Sequence, residues 1–288
     1  MTGPLPNAMI IGVQKGGTTS LHNLLDRHDD IYFPKSPVPQ EIHFFDLDEN
    51  YAKGIDWYRS LFDGHAKERV VAQTSPLYLY LPEVAERIHS ELPECKFIVT
   101  LRNPVDRAHS HYWHEVRWGF ETLSMMDALE SESSRITRGP YERRNFSYVS
   151  RGRYDEQVQR FTDLFGPDQV LILRQDELRA DSDAVARRCA KFLGVDPEGF
   201  APEPASRTVF NSAKMPRSQR LQTLRPRLEK VSSKLAGSLD RINLIDARYP
   251  DLSHEERAFL TAQFADQTLF PPSEVSPESP SADSKTPK

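Results

Sequence analysis

At 288 residues, with 38% hydrophobic side chains, the chain is long enough to bury a substantial core as one α/β domain. A formal charge of −5 argues against a general nucleic-acid binder, and no apolar stretch approaches membrane-spanning length. Only two cysteines are present, Cys95 and Cys189, far apart in sequence, which excludes a disulfide framework and suits a reducing compartment. Residues 1–8 lack the basic start and long apolar core of a signal peptide, so a soluble cytoplasmic protein is expected.

The predicted elements begin with an apolar run at residues 9–11 that ends in Gly12 and reads as a buried strand. The stretch Gly12-Val-Gln-Lys-Gly-Gly-Thr-Thr-Ser20 then gives way to Leu21, Leu24 and Leu25 at helical spacing. A glycine-rich turn between strand and helix aims backbone N–H groups and the positive end of the helix dipole at one small volume, which suits a phosphate. Lys15 adds positive charge, Gly16 and Gly17 permit close approach, and Thr18, Thr19 and Ser20 supply hydroxyl donors. In the nucleoside triphosphatase loop, G-x-x-x-x-G-K-[ST], lysine follows the last glycine. Here Thr18 holds that place and the lysine lies inward, at position 15. The pattern resembles the 5′-phosphosulfate loop of sulfotransferases that use 3′-phosphoadenosine 5′-phosphosulfate (PAPS). The competing reading is a turn whose glycines only allow close packing.

Next, Pro34, Pro37 and Pro39 rule out regular helix and favour an extended loop leading to Glu41-Ile-His-Phe-Phe-Asp46. This segment, with Lys53-Gly-Ile-Asp-Trp-Tyr58 after it, resembles the heparan sulfate N-sulfotransferase-like branch of the same family. The resemblance implies that Glu41 is the catalytic base. His43 is the rival, because an imidazole titrates near neutrality. The ordinary alternatives are a solvated carboxylate at 41 and a packed histidine at 43. Trp57 and Tyr58 read either as acceptor-pocket residues or, at helical spacing with Leu61 and Phe62, as core.

Residues 69–73 read as a second buried strand. Relatives often carry an acidic residue and a lysine where Gln73 and Thr74 stand, and a lysine where Gln40 stands, so this chain has fewer active-site cations than they do. A helix over residues 82–92 and a third strand over 96–101 lead into Arg102-Asn-Pro-Val-Asp-Arg-Ala-His-Ser110. Asn103 caps and Pro104 opens the following helix, which runs through Trp118. Arg102 at the strand's end and Ser110 two helical turns on can converge on one phosphate. This R-x-P-x-x-R-x-x-S stretch resembles the family's 3′-phosphate motif, with Arg107 orienting the loop or touching ligand. His109, His111 and His114 complete no metal-ligand spacing, and no metal is expected.

Residues 119–153 read as an acceptor-side insertion or lid, rich in arginine, whose charge run is either a ligand-facing surface or a solvated one. Tyr154 opens the next helix, and the resemblance places it beside the donor's 3′-phosphate and adenine. Residues 169–173 form a fourth parallel strand, and Asp181 caps a helix that ends at Gly194. For the loop that closes over the 3′-phosphate, the candidates are Phe210, Lys214 and Arg217. Ser253 and Glu256 form a capping box, and residues 271–288 read as a disordered proline- and serine-rich tail.

The expected fold is a single-domain, P-loop-like three-layer α/β architecture over residues 1–270, a central parallel sheet flanked by helices. The expected function is sulfuryl transfer from PAPS to a hydroxyl or amine of a glycan, lipid or small molecule, releasing adenosine 3′,5′-bisphosphate. The competitors are a P-loop kinase or nucleotidase and a catalytically silent binding module.

Overall fold

The computed structural model describes residues 3–202, 214–271 and 274. Phe210 and all of the predicted tail except Pro271 and Glu274 lie outside the described residues. Five parallel strands form the central sheet in the order β2-β3-β1-β4-β5: β1 is Ala8–Gly12, β2 Ile31–Tyr32, β3 Val70–Thr74, β4 Lys96–Leu101 and β5 Val170–Arg174. Strands β1, β3 and β4 are buried along nearly their whole length because helices cover both faces of a parallel sheet. Period-two alternation sorts their side chains into two cores. Met9, Ile11, Val71, Phe97 and Val99 pack beneath one helical layer, with Ala8, Ile10, Val70, Ala72 and Ile98 beneath the other.

The helix starts and stops follow local chemistry. Asn103 accepts from the amides of Val105 and Asp106 to open the Pro104–Trp118 helix, which ends at Gly119 with φ 77°. Asp181 caps Ser182–Leu193, and Ser253 with Glu256 forms the capping box of His254–Gln263. Cys95 and Cys189 are free and buried. After β5 the chain adds a two-stranded antiparallel pair, β6 (Lys214–Pro216) with β7 (Leu244–Asp246), which packs beside the Pro104–Trp118 helix.

Part of the arginine-rich stretch 119–153 is built into the core, while Arg138 stays exposed and Arg143, Arg144 and Arg153 are half-buried. Glu121 is fully buried and accepts from Arg135 at 2.8 and 3.2 Å, from the Tyr148 hydroxyl at 2.7 Å and from the amides of Thr122 and Leu123. Arg107, also fully buried, donates to the Tyr148 carbonyl, and Glu132 accepts from the amides of Val149 and Ser150. The counter-charges for these arginines therefore come from inside this stretch and from distant segments. Glu121→Ala leaves the Arg135 guanidinium buried without a counter-ion, and the expected loss is about 3–5 kcal/mol of unfolding free energy. Urea denaturation checks this; an unchanged midpoint would mean that the network is not structural.

Candidate active site

β1 and β4 lie side by side, and the chain leaves β1 toward helices on one side and β4 toward helices on the other. Their carboxyl ends form the crevice at which open α/β sheets bind ligands. The loop after β1 is pinned there: the Val13 amide donates to the Thr100 carbonyl at 2.9 Å. A Cβ on Gly16 would lie 2.5 Å from that same carbonyl oxygen, and Gly17 has φ 96°, so each glycine is required by its place. The loop opens the Thr18–Leu25 helix with no side-chain cap, leaving its first amides to face an anion.

Lys15 sits at φ 71° in this loop. Its Nζ lies 3.4 Å from His114 Nδ1, which fixes that nitrogen as acceptor and places any ring proton on Nε2. Burial, with Arg102 and Arg117 nearby, lowers the Lys15 pKa to about 8. Burial, with Lys15, Arg117 and Arg151 nearby, holds His114 down to about 3, so it is neutral. Arg102, at the end of β4, reaches the loop through Nη1 to the Lys15 carbonyl at 3.4 Å. Ser110 is buried along the helix that follows. Positive charge thus accumulates with little compensation, which is what a polyanion needs.

The second half of the site is Glu41 and its neighbours. His43 has φ 54°, and with Lys15 it is one of two non-glycine residues at positive φ among the described residues. Such backbone costs about 1–3 kcal/mol per residue and collects at functional positions. This turn sets the imidazole between two carboxylates. Nε2 lies 3.7 Å from Glu41 Oε2, and Nδ1 lies 2.9 Å from Asp46 Oδ2. The Asp46 side chain is fully buried and also accepts from Arg144 at 2.9 Å. The Glu41 side chain keeps 46% of its exposure, yet desolvation by its surroundings raises its pKa, with His43, Arg144 and Arg151 opposing. Glu41 is therefore open to an acceptor on one side and backed by an imidazole on the other.

The sequence did not single out Asp46, Arg144, Arg151 or His114 for this site. Asp46 lay inside the E-I-H-F-F-D run, three residues after His43, and that spacing was its signal. His114 is one helical turn beyond Ser110 and so shares its face. Nothing local marked the arginines, which arrive from a segment about a hundred residues away. The three histidines of the Pro104–Trp118 helix do not meet: His109 packs between Trp113 and Pro250, His111 between Arg107 and Glu115, and His114 against Lys15. No cluster of metal-ligating side chains occurs among the described residues.

Several expected contacts need correction. Tyr154 is fully buried and its hydroxyl donates to the Arg102 carbonyl at 2.9 Å, so it supports the strand end and presents no face to a ligand. Of the two readings of Tyr58 the core one holds: it is buried and hydrogen-bonded to Gln73, which in turn donates to Ser75 at 2.8 Å. Thr74 Oγ1 lies 2.9 Å from His22 Nδ1. Neutral buried hydrogen bonds thus engage Gln73 and Thr74, while Arg144 and Arg151 bring positive charge near Glu41. Lys214 lies half-buried on β6, 3.8 Å from Asp246, and Arg217 is exposed, its amide donating to the Asn243 carbonyl. Thr18 is buried, Thr19 partly buried and Ser20 exposed, so the three hydroxyls are not equivalent.

The family model for the sulfotransferase domain matches residues 5–237. The chain belongs to the sulfotransferase domain family. It is 34% identical to a sulfotransferase from Alicyclobacillus acidocaldarius of known crystal structure, with a TM-score of 0.61, over 83% of this chain and 96% of that one. It is 31% identical to heparan sulfate glucosamine 3-O-sulfotransferase 5 of Mus musculus, over 67% of this chain and 54% of that protein. With the bifunctional heparan sulfate N-deacetylase/N-sulfotransferase 2 of Homo sapiens it shares 32% identity, over 92% of this chain and 29% of that protein. The chain thus spans about half or less of the length of these two mammalian relatives.

Proposed function

We propose that this sulfotransferase moves the sulfuryl group of PAPS to a hydroxyl or amine of a glucosamine-containing glycan. Lys15, the loop amides and the hydroxyls of Thr18 and Thr19 hold the 5′-phosphosulfate, and Arg102 with Ser110 holds the 3′-phosphate. The acceptor oxygen or nitrogen attacks sulfur as the sulfur–oxygen bond to the 5′-phosphate breaks. Glu41 takes the acceptor proton, and Lys15 offsets the charge that develops on the departing phosphate oxygen. A loose, in-line transfer of this kind rests on alignment and fixed charge. His43, held by Asp46 and Arg144, orients Glu41 and spreads the charge it carries. The cytoplasm is the compartment we assign, a reading that the two free buried thiols favour.

The observation that carries the reading is the pairing of two strained residues, Lys15 in an anion-binding loop and His43 behind an open carboxylate of raised pKa. The test is transfer of label from sulfur-labelled PAPS to N-desulfated heparan sulfate and to its N-acetylated form. Label on the first alone marks an amine acceptor, and label on both marks a hydroxyl. Label on neither, with no binding of adenosine 3′,5′-bisphosphate, contradicts the proposal.

The Lys15 pKa near 8 gives a pH signature. Below that pH the ammonium is already charged; above it the free protein carries a neutral amine that a bound phosphate must recharge. Binding then takes up a proton, and affinity falls with rising pH by up to tenfold per unit. Calorimetry of the bisphosphate in buffers of different ionisation enthalpy reads the proton directly. A flat affinity through this window would mean that Lys15 does not contact the anion.

A further inference from the structure

Arg151 is almost wholly buried, has no carboxylate partner among the described residues, and leaves its Nε without an acceptor. A buried charge without an ion pair is costly even with the Glu115 and Glu132 carboxylates nearby, so its hydrogen bonds bear on its role. One end nitrogen donates to Gln14 Oε1 in the donor loop. The other donates to the carbonyls of Arg144, at 2.6 Å, and Arg143, at 3.4 Å. Arg144 is the residue whose side chain holds Asp46 at 2.9 Å and lies 3.4 Å from His43 Nδ1. The guanidinium also stands over the Tyr80 ring, 5.0 Å from its centroid.

Hydrogen bonds therefore link Gln14 through Arg151 and Arg144 to Asp46 and His43, whose Nε2 stands 3.7 Å from Glu41 Oε2. Among the described residues, Arg151 is the one side chain of the 119–153 stretch that hydrogen-bonds to the loop carrying Lys15. The base segment has a separate anchor for its backbone: the Tyr78 hydroxyl accepts from the amides of Phe44 and Phe45 at 3.1 and 3.2 Å. Tyr78 fixes where the segment runs, whereas Arg144 fixes which way the His43 ring and the Asp46 carboxylate face.

From this geometry we infer that Arg151 is a positioning residue that couples occupancy of the donor loop to the orientation of His43 and Glu41. An anion on the loop amides orders residues 13–17. Gln14 then holds the guanidinium fork in one place, and the Arg144 carbonyl follows. The base is aligned when the donor is present and looser when it is absent, which discourages unproductive acceptor binding before PAPS. The inference rests on the donor site proposed above.

The test uses the full chain with histidine labelled in the ring, and adenosine 3′,5′-bisphosphate as the probe. The His43 resonance is assigned by its loss in His43→Gln. In the wild type, saturation with bisphosphate is expected to shift the His43 signal. In Gln14→Leu, which removes the side-chain link and leaves the buried arginine in place, the His43 shift is expected to be lost at saturating bisphosphate. Arg151→Lys keeps the charge but not the fork, and the shift is expected to be lost there too. A His43 shift that persists in both variants overturns the inference and leaves the donor site standing, as does a wild type that binds bisphosphate with no His43 shift. Failure of the wild type to bind bisphosphate overturns the donor site and the inference with it.

Discussion

Lys15→Ala is expected to lower sulfuryl transfer by about 10²–10³-fold, the scale on which single preorganised charge donors act. On the proposed roles the effect belongs in kcat more than in donor affinity, because the loop amides, Arg102 and Ser110 would still hold the two phosphates. The lysine is well placed for this role by what surrounds it. Its partner His114 is a neutral acceptor, so the ammonium is oriented without being neutralised. Burial, with Arg102 and Arg117 nearby, weakens its hold on a proton, and charge growing on a departing oxygen beside it would reverse that effect. Steady-state kinetics with the glycan acceptor, beside a binding titration of the bisphosphate, separates the two contributions. A variant that loses affinity and keeps kcat would assign Lys15 to ground-state binding alone.

Glu41→Gln is expected to reduce kcat by about 10²–10⁴-fold with bisphosphate binding nearly unchanged, since it removes a proton acceptor and leaves the shape of the site. A pH profile sharpens the test. Desolvation raises the Glu41 pKa, so the acid limb of kcat/KM should lie above the ordinary carboxylate range. The sign follows: activity is lost as pH falls through that raised value, because the protonated carboxyl accepts nothing. The limb should disappear with the side chain in Glu41→Gln. If the variant keeps both its turnover and its acid limb, the base is His43, whose ring lies 3.7 Å from Glu41 and is held by Asp46.

What the sequence made legible was whatever local chemistry determines. The loop of residues 12–20, the cap at Asn103 and the start at Pro104 stand where the spacing places them, because turn glycines, caps and buried strands are specified within a few residues. Lys15, Glu41, Arg102 and Ser110 were readable for the same reason, as motif positions beside those elements. The Tyr154 placement failed because a motif shows that a side chain matters without showing whether it faces a ligand or supports one that does. The arginines of 119–153 stay open in the sequence between a ligand-facing and a solvated surface. Their partners, Glu121 within the segment and Asp46, Glu83 and Gln14 outside it, are fixed by packing, so the run alone does not decide between the two. Long-range pairing of this kind has no local signature.

The relatives named by glycan suit the acceptor side of the account, but the donor side is the part on which everything else depends. The measurement that tests it most directly is calorimetric titration of the protein with adenosine 3′,5′-bisphosphate beside ATP with magnesium. The account predicts that the bisphosphate binds and that Arg102→Ala weakens it by about 10–100-fold, the scale of a lost charge-assisted phosphate contact. Binding of magnesium-ATP in preference to the bisphosphate, with Arg102→Ala unchanged, would contradict it.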